Sequence, residues 1–186
     1  MGDTAGRIIF LNGTSSSGKS SIARELLDIL DDEVWFHVGV DMFNAMRTER
    51  AMAPAEFDEA LKRTRRGFHR SIAAMADVGN NLVVDHVLSE PWRLADCLEV
   101  LRPYRVLFVG IRCDVAELTR REAVRGDRPL GVAAYQADLV HRHGDYDLEC
   151  DSGKYSPREC AEQIKAFLPN QAAPTAFERL REAIRP

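Results

Sequence analysis

Residues 13 to 20 read Gly13-Thr14-Ser15-Ser16-Ser17-Gly18-Lys19-Ser20, which fits the phosphate-binding loop pattern G-x-x-x-x-G-K-[ST]. Two glycines let the backbone curl until its N–H groups face inward at anionic oxygens, and a helix opening at the loop's end adds the positive end of its dipole. Lys19 is then expected to reach the β- and γ-phosphates of a nucleoside triphosphate, with the Ser20 hydroxyl on Mg²⁺. The run from Gly13 through Ser21 is read as the nucleotide-binding segment. Its neighbours agree with that reading. Arg7 to Asn12 is an apolar run without alternation, as expected of a buried parallel strand, and Ile22, Ala23, Leu26, Leu27 and Leu30 recur at helical spacing directly after the loop. A merely flexible Gly/Ser turn would need neither flank.

Outward from the loop, four further apolar runs alternate with helical patterns: Val34 to Val40, Asn81 to Val87, Arg105 to Arg112 and Tyr146 to Cys150. That rhythm predicts an α/β chain with the three-layer P-loop NTPase fold: a central five-stranded parallel sheet with helices on both faces. Pro54 opens a helix whose Phe57, Leu61, Phe68, Ile72 and Met75 keep one face apolar until Gly79. Its other face is assigned Lys62, Arg63, Arg65, Arg66 and Arg70, either a solvated surface or a basic rim near an anionic ligand. Val115 to Val124 and Val132 to His141 form two helices broken by Arg125-Gly126-Asp127-Arg128-Pro129, a helical lid over about residues 115–141. Ser156 caps a final domain helix, with Pro157 at its first position. The kinase-like domain is expected to span 1–169. A linker and a short amphipathic helix carrying Phe177, Leu180 and Ile184 fill 170–186, and their removal is expected to leave activity intact.

A chain of 186 residues, 45% of them hydrophobic, suffices for one domain of ordinary size. The net charge of −4 argues against a general nucleic-acid or anionic-membrane surface. No apolar stretch approaches the roughly 20 residues that span a bilayer, and the N-terminus lacks signal-peptide character, so a cytoplasmic location is expected. Cys97, Cys113, Cys150 and Cys160 lack metal-ligand spacing and predict neither disulfides nor zinc.

In an open parallel sheet, ligands bind beyond the carboxyl ends of the strands, so the acids there carry the chemistry. Asp85, after Asn81-Leu82-Val83-Val84, is the candidate second anchor for Mg²⁺ beside Ser20, with a cap or turn role as its structural alternative. Asp41, after Val38-Gly39-Val40, is either the base that orients and deprotonates an acceptor hydroxyl or a cap for a helix opening at Met42. Arg120, Arg121, Arg125 and Arg128 surround the break in the lid, where guanidinium groups could stabilise a transferring phosphoryl. Of these, Arg125 and Arg128 flank the Gly-Asp turn. His86 is read as a hydrogen-bonding neighbour of Asp85.

Several of these segments resemble the chloramphenicol phosphotransferase-like proteins, small P-loop kinases of the nucleotide-kinase-like group. The resemblance is carried by Ile9 to Ser20, by Val38-Gly-Val-Asp41 and by Val109-Gly-Ile-Arg-Cys-Asp114. Arg121-Glu-Ala-Val-Arg-Gly-Asp-Arg128, Gln136, Val140-His141 and Tyr146-Asp147 complete it. It covers about residues 7 to 168. The resemblance implies ATP as the nucleotide, Asp41 as base, Arg125 and Arg128 as lid arginines, and Arg121 beside the nucleotide. It further implies a small-molecule hydroxyl acceptor such as chloramphenicol or another antibiotic, with association into homo-oligomers left open. The stretch after Asp41 is shorter than in the chloramphenicol enzyme, and His86 replaces a second Asp, so acceptor identity is the less constrained part. Alternatives are a nucleoside or nucleotide kinase, or a nucleotide-dependent regulatory protein. The second lacks support from any T-K-x-D or N-K-x-D motif.

Overall fold

The structure is a computed structural model and describes residues 5–125 and 131–184. Five parallel strands form one sheet in the order β2-β3-β1-β4-β5: β1 Ile8–Asn12, β2 Trp35–Gly39, β3 Asn81–His86, β4 Val106–Arg112 and β5 Leu148–Asp151. Because successive side chains of a strand point to opposite faces, β1 sends Ile8 and Phe10 into one apolar layer and Ile9 and Leu11 into the other. The first layer is covered by α3 (Pro54–Asp77), α4 (Pro91–Val100) and α8 (Ala176–Ile184) through Phe68, Ile72, Leu94, Leu98, Phe177 and Leu180. The second is covered by α1 (Lys19–Ile29) and α7 (Pro157–Phe167) through Ile22, Leu26, Cys160 and Ile164. All four cysteines are free thiols.

Parallel register places Asn12 opposite His86 and Gly110, and Gly39 opposite Asp85, so the ends of β1, β2 and β3 converge at one edge of the sheet. There α1 opens directly from the loop, and α2 (Val40–Ala45) opens directly from β2. α5 (Val115–Arg125) and α6 (Val132–Val140) form the helical pair expected as a lid. α7 starts with a reciprocal cap: the Glu159 N–H donates to Ser156 Oγ at 3.3 Å while the Ser156 N–H donates to Glu159 Oε2 at 2.8 Å.

Four differences from the sequence reading have physical causes. α4 was not anticipated, although Pro91 at its first turn and buried Leu94, Cys97, Leu98 and Leu101 carry the signal. β5 begins at Leu148 rather than Tyr146, because Asp147 serves as a junction. Its carboxylate accepts from Phe108 N at 2.8 Å, Ala176 N at 2.7 Å and Gln171 Nε2 at 3.1 Å. Gln171 also donates to Val106 O at 2.8 Å and accepts from Arg105 Nε at 3.1 Å, so the residues read as a linker are held against the sheet. Phe177 is 1% exposed, its ring centroid 4.9 Å from that of Phe108 and 5.7 Å from that of Phe10. Lastly, Arg65 does not share the solvated face of α3. It lies four residues before buried His69 and three before buried Phe68, on the stripe that faces the sheet.

Candidate active site

The loop between β1 and α1 adopts the curl its sequence requires. Gly18 has φ +87° and Ser16 φ +62°, left-handed conformations that turn successive N–H groups inward. Gly13 is required for another reason: a Cβ there would sit 2.7 Å from Ile111 O and 2.7 Å from Ser17 Oγ. Thr14 Oγ1, Ser16 Oγ and Ser17 Oγ are buried without a hydrogen-bond partner in a segment rich in donors. Lys19 Nζ donates to Thr14 O at 2.6 Å and lies 3.9 Å from Asp85 Oδ1. Ser20 Oγ donates to Asp85 Oδ2 at 2.5 Å. Burial alone would raise the Asp85 carboxyl, but the Lys19 ammonium, with His37 and Ser20, holds it below its ordinary value. His37 Nε2 stands 3.8 Å away, an electrostatic neighbour beyond hydrogen-bond distance. Two hard oxygen donors, Ser20 Oγ and an ionised Asp85, thus meet beside a cationic phosphate loop, which fits a Mg²⁺–nucleotide.

Ser16, Gly18, Lys19, Ser20, His37 and Asp85 line a cleft of about 720 Å³ that also contains Asp41, Met42, Val87, Arg121 and Ser152. Asp41 belongs to the first turn of α2, whose N-cap is Gly39, and no side chain caps that helix. The capping alternative therefore does not describe Asp41. Its exposed carboxylate looks into the same cleft as the loop, with Asn44 Nδ2 3.4 Å from Oδ1. Asp85 likewise lies within β3 rather than at a helix start.

The helical pair is tied to the loop from the other side. Ser15 N donates to Gln136 Oε1 at 2.8 Å, and Arg121 donates through Nη2 to Ser152 O at 2.7 Å and through Nε to Glu117 Oε1 at 2.7 Å. Ser152 Oγ in turn donates to Ser17 O at 2.8 Å. Glu122, 2% exposed, accepts from Gly131 N at 2.7 Å and Ala133 N at 2.9 Å, joining α5 to the start of α6. Arg120 is an exposed partner of Glu117. Arg128 and the side chain of Arg125 lie outside the described residues.

Sequence reading gave no role to Asn12, Gln136 or Ser152, although an Asn closing an apolar strand just before the loop was a visible signal. Asn12 Nδ2 donates to Val140 O at 2.9 Å and Tyr146 Oη at 2.8 Å, while Oδ1 accepts from Leu88 N at 3.0 Å, so one side chain fastens the lid's end to the β3 exit. His86 bonds away from Asp85: its Nε2 is 3.0 Å from His69 Nε2, and His69 Nδ1 is 2.6 Å from Asp96 Oδ2. Cys97 joins these two imidazoles in a buried cluster, with its thiol pushed well up by burial.

A family model described as chloramphenicol phosphotransferase-like protein matches residues 6–169. Two Mycobacterium tuberculosis proteins, from strains CDC 1551 / Oshkosh and H37Rv, carry the provisional name O-phosphotransferase. Each is 31% identical over 205 residues, covering 95% of this chain and 88% of its own length. The M. tuberculosis APS kinase CysC in complex with AMPPNP and APS superposes with a TM-score of 0.68 at 18% identity, covering 90% of this chain and 99% of that one. Shikimate kinase from Acinetobacter baumannii, in complex with shikimate, gives 0.60 at 17% identity, over 91% and 97%. At such identities the structural likeness establishes the fold, that of the P-loop kinases.

Proposed function

The chain belongs to the chloramphenicol phosphotransferase-like family, and from that premise we propose that it is an ATP-dependent phosphotransferase acting on a hydroxyl group of a small molecule. The observation that carries this reading is a single cleft holding the phosphate loop, the Ser20–Asp85 pair and, from a different element, the carboxylate of Asp41. Loop N–H groups and Lys19 bind the phosphates, and Arg121 flanks them. Mg²⁺ would be held by Ser20 and Asp85 and would neutralise phosphate charge. Asp41 accepts the proton of the acceptor hydroxyl as that oxygen bonds to the γ-phosphorus and the bridging oxygen–γ-phosphorus bond breaks, ADP leaving with the electron pair. From the sequence, Arg125 and Arg128 are assigned to charge developing on the transferring group. Chloramphenicol and other hydroxylated antibiotics are the first acceptors to test, with nucleosides alongside to separate a nucleoside kinase.

Asp41→Asn is the discriminating variant, because Asn keeps the shape but cannot take the proton. With an acceptor found by ADP release, turnover should fall by about 10² to 10⁴ while the ATP dissociation constant stays within about twofold. Unchanged turnover would remove Asp41 from the mechanism.

A further inference from the structure

Beside the cleft, within electrostatic reach of Asp41, stands a charge that the reaction scheme above does not use: Arg65 of α3. α3 leads into the start of β3, so its N-terminal half projects past the carboxyl edge of the sheet, on the same side as Asp41. The stripe that buries Ile72, His69 and Phe68 against the sheet continues one turn further to Arg65. There α2 packs alongside through Phe43, whose ring centroid is 5.0 Å from that of Phe68.

Arg65 is partly buried, yet no hydrogen bond or ion pair joins its guanidinium to any described residue. Asp41, Glu90 and Asp58 act on it only at longer range, and burial pushes its pKa down. A second guanidinium stands beyond it in the first turn of α4. Arg93 is 7% exposed, donates to Val87 O and Ser89 Oγ at 3.0 Å each and pairs with Glu90, but its Nε is buried without a partner. Burial, then Arg65, lower the Arg93 group to about 10. Two partly desolvated like charges cost free energy unless an anion compensates them, and Glu90, the carboxylate that acts most strongly on Arg65, is already bonded to Arg93 and to Trp92 Nε1. An unpaired guanidinium offers a planar fork suited to a carboxylate, phosphate or sulfate.

We infer that the acceptor is a hydroxylated small molecule bearing an oxyanion, with Arg65 binding the anionic group while its hydroxyl meets Asp41. This rests on the phosphotransfer reading and narrows its substrate class. Arg93 braces the Val87–Glu90 turn beside it.

The test uses the full chain saturated with Mg²⁺ and AMPPNP, so that the phosphate loop is filled. Sulfate and acetate are titrated at constant ionic strength against chloride, and the melting temperature is read. At least one anion should stabilise the wild type saturably, sulfate marking a phosphate- or sulfate-bearing acceptor and acetate a carboxylate. Arg65→Ala and Arg65→Gln should each raise the half-saturating concentration at least tenfold while AMPPNP affinity stays unchanged. No saturable effect in the wild type overturns the inference, as does saturation of both variants at the wild-type anion concentration. ADP release with matched pairs, gluconate against glucose and glycerol 3-phosphate against glycerol, then separates the two claims. Transfer that ignores the anion, as to neutral chloramphenicol, counts against the anion site alone. Saturable anion binding without transfer to any hydroxyl counts against the kinase reading alone.

Discussion

Gly13 and Gly18 occupy the same motif for different reasons, and substitution separates them. At Gly18 an added methyl meets nothing closer than Arg121 Nη1 at 3.7 Å, so Gly18→Ala carries only the left-handed backbone penalty of about 1–2 kcal/mol. At Gly13 the methyl collides with the Ile111 carbonyl, which belongs to β4 and cannot swing aside. Gly13→Ala should therefore be the more destabilising in urea unfolding, and the reverse order would mean the loop is held differently. Sequence alone displayed both glycines, Lys19 and Ser20, because the motif is local. It also displayed Asp41 and Asp85 as acids ending apolar runs. What it hid was pairing across distance: Gln136 on Ser15, Ser152 on Arg121, and Arg65 beneath a run of arginines that looks uniformly solvated until its position relative to Phe68 and His69 is counted.

At the scale of elements, the largest revision concerns α8. Composition marks Pro169 to Thr175 as a linker, being polar with two prolines, but composition is silent about tertiary anchors such as Gln171 and Asp147. With Phe177 wedged between Phe10 and Phe108, Phe177→Ala should cost about 3–5 kcal/mol, read from the midpoint of denaturant unfolding. Ending the chain at Asn170 should lower the melting temperature steeply or prevent folding. A truncated protein as stable as the full chain would show that α8 only rests on the domain. α4 went unread for the opposite reason: its ten residues carry a helical pattern, but a short amphipathic run between two strands is easily absorbed into their connection.

Across the whole molecule, no helix among the described residues is long and apolar enough to cross a membrane. Burial holds His69, His86, His141 and His143 below the ordinary imidazole value, His141 at about 3. The unfolded chain takes up protons near pH 6.5 that the folded chain refuses, so the stability these rings contribute is complete above that pH and is lost as pH falls below it. His141 alone accounts for about 1 kcal/mol at pH 5 after allowance for its partial exposure. The melting temperature should fall by several degrees between pH 7.5 and 5. A flat profile would mean the imidazoles are not buried as described. The central claim, that one cleft moves a phosphoryl group from ATP to a hydroxyl, is tested most directly by following label from [γ-³²P]ATP. With Mg²⁺ and a hydroxylated acceptor, the intact protein should place the label on the acceptor, and Lys19→Ala should reduce that transfer at least about a hundredfold while retaining the fold. Label released only as inorganic phosphate across the acceptor panel, or full transfer by the Lys19 variant, would contradict it.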